Sequence, residues 1–288
     1  MHSQSEPTVA QRPRVLVTGG TGTLGRLIVP RLQAAGRPVR VLSRRSRPAR
    51  DGDGIEFVTG DLDTGAGIDA AVAGVETIVH CAGSSKGDEQ KTLHLVRAAR
   101  AAGVRHLVYI SVVGADRVPV VSGIDRAMFG YFASKLAAER VVVDSGLPWT
   151  TLRATQFHEL VLLVAQQMAK LPLVPVPLGF RFQPVDAGEV AARLVELALG
   201  APSGLVPDFA GPRVYDMAAL LRSYQRAIGK RRPLVPLPLP GRAAAAVRAG
   251  ANLAPEHPLG RRTWEAFLAE AVQRAPRAAL RQETGTCP

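Results

Sequence analysis

The chain has 288 residues, 47% of them apolar, which suits one large domain or a domain with an appended lobe and excludes wholesale disorder. Two cysteines, Cys81 and Cys287, are too few for a disulfide framework or a metal site. They fit a reducing, cytoplasmic setting. The net charge of +12 is carried by arginines in two places, Arg37, Arg40, Arg44, Arg45, Arg47 and Arg50, and the stretch from Arg222 onward. With only 5% aromatic residues and no zinc-finger or basic-zipper spacing, it does not point to nucleic acid.

Residues 1–12 read as a frayed arm, and the polar start from Met1 to Arg14 has no signal-peptide core. No apolar run is long enough to span a bilayer, so a soluble protein is expected. Arg14 to Thr18 reads as a buried strand, followed by a glycine-rich loop and an apolar helix from about Thr23 to Ala35. Further strands are expected at 38–43, 55–59, 76–80, 106–111 and 149–153, with helices at 68–73, 89–102 and 127–145. Nearly all-apolar strands alternating with helices signal a parallel sheet covered on both faces, an α/β doubly wound architecture. After Phe157 the pattern changes. Three prolines in the stretch 171–179 exclude a central strand or a helix there. Helices resume at about 187–199, 217–228 and 263–271, joined by proline-rich connections such as Pro233 to Pro240. The expected division is a cofactor domain over 13–157 and a small, mainly helical substrate lobe over 158–288 that can return elements to the sheet.

The segment Thr18-Gly19-Gly20-Thr21-Gly22-Thr23-Leu24-Gly25 follows a strand and opens a helix, the context a dinucleotide site requires. Gly19 permits a tight turn, Gly22 lets a pyrophosphate approach the backbone, and Gly25 lets the helix pack closely. Thr21, Thr23 and Leu24 complete a cradle whose free N–H groups face the phosphates. At the end of the second strand, where an NAD site carries Asp or Glu, stand Ser43, Arg44 and Arg45. Guanidinium groups match a 2′-phosphate, so NADPH (NADP+) is the expected cofactor, with Arg44 as its first contact. Asp61 and Leu62 follow the third strand, where a carboxylate can meet the adenine amino group. Ala82 and Gly83 end the fourth strand with side chains small enough for the cofactor to lie close, and Ser84 follows them. Cys81 reads as structural, as do the histidines other than His158.

Four segments carry a family resemblance: Thr18 to Gly25, Gly60-Asp61-Leu62, Tyr131-Phe-Ala-Ser-Lys135, and Gly146 to Phe157; Gln183-Pro-Val-Asp186 adds to them. Together they resemble the short-chain dehydrogenase/reductase superfamily, in its atypical, NmrA-like NAD(P)H-binding branch. The resemblance implies a Rossmann domain, an NADP(H) site and hydride transfer. Tyr131 and Lys135, four apart on one helix face, fit as proton donor and neighbouring ammonium. The ammonium would lower the phenol pKa, and in the family it also holds the nicotinamide ribose.

Ser111 closes the fifth strand and is the candidate third catalytic group. However, Val112 and Val113 stand where ordinary members place Ser or Thr, and Ser122 is the fallback. Thr155, Gln156 and Phe157 border the nicotinamide, with Gln156 and His158 toward the substrate. The proton could come from Tyr131, His158, water or the substrate itself.

The apolar lobe suits a bulky hydrophobic small molecule, a ketone or quinone of aromatic or polyketide type from secondary metabolism. A non-catalytic NADP(H)-sensing regulator is the alternative. Gly83-Ser84-Ser85-Lys86-Gly87 also has hydrolase spacing, with Asp208 and His257 downstream, but a hydrolase has no use for the glycine loop. Whether the chain is a monomer or a dimer is open, and no metal site is expected.

Overall fold

The computed structural model describes residues 14–46, 54–83 and 87–283, with side chains described to residue 274. The arm at 1–12, Arg47, Arg50, Ser84 and Cys287 lie outside the described residues. The first half runs β1 (Arg14–Thr18), α1 (Gly25–Ala34), β2 (Val39–Ser43), β3 (Ile55–Thr59), α2 (Ile68–Val72), β4 (Val75–His80), α3 (Asp88–Ala101), β5 (His106–Val112), α4 (Gly123–Val143) and β6 (Trp149–Ala154). The second half continues α5 (His158–Met168), β7 (Val174–Pro177), β8 (Arg181–Phe182), α6 (Ala187–Leu199), β9 (Gly204–Leu205), β10 (Tyr215–Asp216), α7 (Met217–Ala227), β11 (Leu234–Leu237), α8 (Arg242–Arg248) and α9 (Trp264–Glu283).

The main sheet has the order β3-β2-β1-β4-β5-β6-β9, and every neighbouring pair is parallel. This is the doubly wound Rossmann architecture expected, with its order reversing between β1 and β4. Side chains alternate across each strand, so one strand feeds two cores. Val15 and Val17 of β1 join Ile28 and Leu32 of α1 and Val190 and Leu194 of α6 on one face. Leu16 joins Ile78, Leu95 of α3 and Val142 of α4 on the other. Burial on both faces is why these strands read as unbroken apolar runs.

Residues beyond 157 return to the sheet twice. β9 extends it as a seventh strand, and α6 packs beside α1. The rest of that half gathers around Trp264, fully buried among residues of α5, α7 and α9. The proline-rich stretches depart from expectation. Instead of acting as bare connections, 171–179 and 233–240 pair with one another as β7 and β11, in parallel, outside the main sheet. Pro175, Pro177 and Pro236 have no N–H to donate, which confines the pair to a two-stranded patch. Helix α8 was not expected, and α9 runs well past residue 271.

Candidate active site

The glycine loop is held from both sides. Gly19 has φ +68°, and a Cβ there would lie 2.7 Å from the Ala82 nitrogen. A Cβ on Gly20 would press on Val41 at 2.6 Å, and one on Gly25 would strike Gly19 and Gly20. Gly22 differs. Its N–H donates to the Gly19 carbonyl at 2.9 Å, and a Cβ would meet only that oxygen, so its outer side is open. No side chain caps the start of α1, and no acidic residue occupies its first turn. An open backbone surface at an uncapped helix start fits a pyrophosphate, whose charge the helix dipole favours. Thr23 is exposed beside it, Thr21 is half-buried, and Leu24 turns inward to the core.

At the end of β2 the Ser43 hydroxyl donates to the Arg45 carbonyl (2.9 Å) and accepts the Arg45 N–H (3.2 Å). Ser43 therefore shapes the turn that presents Arg44 and Arg45, both exposed. Arg40 of the same sequence cluster does something else. It is buried, pairs with Glu56 and donates to the Ala71 and Ala73 carbonyls that end α2. Beyond β3, Asp61 accepts the Asp63 N–H at 2.9 Å and Leu62 is buried.

The carboxyl ends of β1, β4 and β5 meet α3 and α4 in a polar cluster. Thr18 accepts the Ala82 N–H and donates to His80 Nδ1 at 2.7 Å. His80 Nε2 reaches Thr92 Oγ1 at 3.2 Å, and that hydroxyl donates to the Asp88 carbonyl at 2.7 Å. Because the Thr92 proton is committed, the imidazole proton sits on Nε2. Burial, followed by the charges of Lys135 and Lys91, pulls the His80 pKa down to about 3.

Lys135 is 4% exposed. Its Nζ lies 3.2 Å from Asp88 Oδ2 and donates to the Tyr109 hydroxyl and the Ile110 carbonyl, each at 3.3 Å. Two ammonium protons are thus met by this chain's own neutral oxygens, and the Asp88 carboxylate stands beside as counter-ion. Tyr109 is fully buried, stacked on His80 with ring centroids 5.4 Å apart. Gly83 leaves room for the pair, since a Cβ there would sit 3.0 Å from Lys135 Nζ and 3.1 Å from Asp88.

Tyr131 lies beside the same ammonium, 5.9 Å from ring centre to Nζ, and is 40% exposed. The expected acidification of its phenol is reversed. Desolvation by the surrounding side chains, followed by the negative charge of Asp88, pushes the Tyr131 pKa up to about 12. The same carboxylate compensates the ammonium meant to acidify it. Helix α4, which carries both residues, is anchored to β6 by Arg153. That side chain grips Glu139 with two nitrogens (2.9 and 2.7 Å) and Asp116 with a third (2.8 Å).

Ser111 ends up 4% exposed, with its Oγ lacking a hydrogen-bond partner among the described residues. Ser122 has a different employment: it caps α4, exchanging hydrogen bonds with Asp125. Cys81 is half-buried, and burial pushes its thiol up to about 12, far from a reactive thiolate. After β6, Thr155 donates to the Gln183 carbonyl at 2.6 Å and accepts the Gly211 N–H at 3.3 Å, which locks the strand exit. Phe157 bridges to Val185.

Gln156 lines an apolar slot between α5 and α7, and His158 does not. His158 is fully buried, donates from Nε2 to the Arg262 carbonyl at 3.1 Å, and stacks on Phe267 at 4.9 Å. Burial lowers its pKa. Asp208 forms an ion pair with Arg117 at 3.3 Å. Sequence reasoning singled out neither His80, Asp88 nor Tyr109, which hold the centre of the site.

The order of the parallel sheet, with a glycine cradle at its reversal point, defines a dinucleotide-binding α/β protein. A family model described as NAD(P)H-binding matches residues 19–160. The (4-alkanoyl-5-oxo-2,5-dihydrofuran-3-yl)methyl phosphate reductase of Streptomyces griseus is 37% identical over 145 residues, 50% of this chain and 48% of that protein. The match therefore spans about half the length of that relative. The ceramide reductase of Caulobacter vibrioides is 31% identical over 245 residues, 79% of this chain and 74% of its own.

Among solved structures, the NADPH-dependent quinone oxidoreductase of Escherichia coli complexed with NADPH shares the fold. It has a TM-score of 0.72 at 21% identity, over 91% of this chain and 99% of that one. The chain belongs to the NAD(P)H-binding, atypical NmrA-like branch of the short-chain dehydrogenase/reductase superfamily. Among the described residues no helix is long and apolar enough to cross a membrane.

Proposed function

We propose that this protein is an NADPH-dependent reductase acting on a carbonyl of a bulky, apolar ketone or quinone. The observation that carries the reading is the Tyr131–Lys135 pair at the same sheet edge as the open glycine cradle, flanked by the slot at Gln156. When bound, NADPH supplies the hydride that the carbonyl carbon accepts. Arg44 and Arg45 would hold the 2′-phosphate, the cradle from Gly19 to Gly25 would hold the pyrophosphate, and Asp61 would serve the adenine.

Tyr131 gives its hydroxyl proton to the carbonyl oxygen. A phenol with a raised pKa keeps its proton at neutral pH, so the donor form is present, although it gives that proton up less readily than a phenol of lower pKa. Lys135 reaches a ribose hydroxyl only by releasing one of its present acceptors. Of these, the two at 3.3 Å, Tyr109 and Ile110, are the longer contacts. Ser111 contributes an uncommitted hydroxyl at the strand end to orient the carbonyl.

The engagement of Lys135 with Asp88, Tyr109 and Ile110 also favours a second reading, a regulator that binds NADP(H) without turnover. The two are separated by following NADPH absorbance with a panel of ketones and quinones. Tyr131→Phe should cut kcat about 100-fold or more while leaving the NADPH Kd within about twofold. Lys135→Met is best tested with Asp88→Asn, since alone it strands a buried carboxylate. A protein that binds NADPH tightly and oxidises it with no member of the panel has the regulatory role. An unchanged rate in Tyr131→Phe removes that phenol from the mechanism.

A further inference from the structure

From the walls of the slot between α5 and α7, we infer a binding site for a long, unbranched aliphatic chain, the tail of the substrate whose carbonyl lies at Gln156. The inference deepens the reductase reading and rests on it for which end of the ligand reacts; tail binding itself does not depend on turnover.

The slot encloses a cavity of about 120 Å³, below the range of drug-sized sites. Leu160 and Val164 of α5 face Met217 and Leu220 of α7, with Phe182 at one side and Gln156 the polar group at its end. That amide is already committed. Its nitrogen donates to the Asn252 carbonyl and its oxygen accepts the Gln183 N–H, both at 3.3 Å. The facing walls are helical, so their backbone N–H and C=O groups are paired along the helix.

A polycyclic ketone or quinone pushed into this space would bring rim oxygens that find no donor. Each would lose hydration that nothing in the slot restores. What enters must be hydrocarbon, and the oxygens must stay at the Gln156 end, beside the exits of β5 and β6.

Helix α5 supports a chain over a compact ring. Its sequence, His158-Glu-Leu-Val-Leu-Leu-Val-Ala165, is strongly apolar, yet Leu160, Leu163 and Val164 are 51%, 52% and 37% exposed. A tail lying in the slot covers Leu160 and Val164 progressively and can run beyond the slot mouth, whereas a compact ring would leave them wet.

The test uses purified protein without NADPH and primary alkanols from butanol to dodecanol, measured by titration calorimetry. Affinity should rise about fourfold per methylene, the factor that corresponds to about 0.8 kcal/mol per buried CH₂, and then level off. Val164→Trp, at an exposed position on the lining, should shift the plateau to shorter chains and weaken the longest about tenfold or more. Leu163→Trp, also exposed on α5 but outside the lining, should change neither.

The inference is overturned by affinity independent of chain length or by equal weakening in both variants. It is also overturned if naphthalene binds more tightly than an alkanol of equal carbon number, or if the alkanols act only by dissociating a self-associated protein held through this face. Alkanols carry no carbonyl and the titration holds no cofactor, so these outcomes leave the reductase reading intact. Conversely, failure of the NADPH turnover assay leaves the tail site standing.

Discussion

Around Lys135, polar groups answer one another: Asp88, Tyr109 and the Ile110 carbonyl take the ammonium, and Thr18, His80 and Thr92 form a chain with a single proton order. Around the α5–α7 slot the walls offer hydrocarbon, and three large apolar residues of α5 stand more than a third exposed. The first region fixes atoms through geometry, since each buried partner would be costly to leave unmet. The second selects by area and tolerates variation in shape. Such a division lets one cofactor chemistry be kept while the molecule it acts on changes.

The comparison breaks most visibly at Arg153. Arg153→Leu leaves Glu139 buried and uncompensated, and should cost about 3–5 kcal/mol in urea unfolding. A loss no larger than an exposed substitution gives would mean that the polar region is not rigid in the sense described. Acid comes next. The fold keeps His80 neutral by lowering its pKa from 6.5 to about 3, so the unfolded chain binds this proton at higher pH than the native one.

Stability is therefore unaffected by His80 above pH 6.5 and falls as pH drops from there toward 3, by up to about 1.4 kcal/mol per unit. Between pH 7 and pH 5 the contribution is about 2 kcal/mol. His106 and His158, both lowered by burial, act in the same direction. The pH dependence of unfolding should thus be shallower in His80→Gln by that amount, and equal slopes would refute the assignment.

Arg44→Ala sharpens the cofactor side. It should weaken NADPH about tenfold, the size of one charge-assisted contact, and leave NADH alone, as fluorescence titration would show. The smallest effect belongs to the other region. Leu163→Ser should shift stability by no more than about 0.5 kcal/mol, since that side chain is 52% exposed. A large loss would reveal a partner for α5.

Strands β1, β2, β4, β5 and β6 were legible because burial on both faces leaves them largely apolar, whereas β3, at the sheet edge, is only partly buried. The loop was legible because Gly19 and Gly25 are required by backbone proximity and Gly22 leaves its outer side open. Gly20 was missed, because its reason is Val41 on another strand. β9, two residues long, is too short for a pattern, and α8 is an alanine run without an amphipathic signature.

The prolines at 175, 177 and 236 were correctly read as barring a central strand, but pairing with each other leaves no trace in either segment. Asp88 looks like any acidic residue at a helix start, and Tyr109 like any aromatic in a buried strand. His80 owes its role to partners 62 residues before it and 12 after it. Proximity of that kind is a property of the fold, and no local spacing announces it.

Helix α1, which begins at the cofactor cradle, buries Ile28 and Leu32 against Val190 and Leu194 of α6. On a ribosome adding about 5–20 residues per second, those partners arrive on the order of ten to thirty seconds after α1 itself. For that interval the nascent chain carries an uncovered apolar helix, the condition chaperones recognise. A fragment ending near residue 157 would keep that exposure permanently. The dinucleotide half, although complete in its motifs, reaches its native core only when the later half of the message has been read.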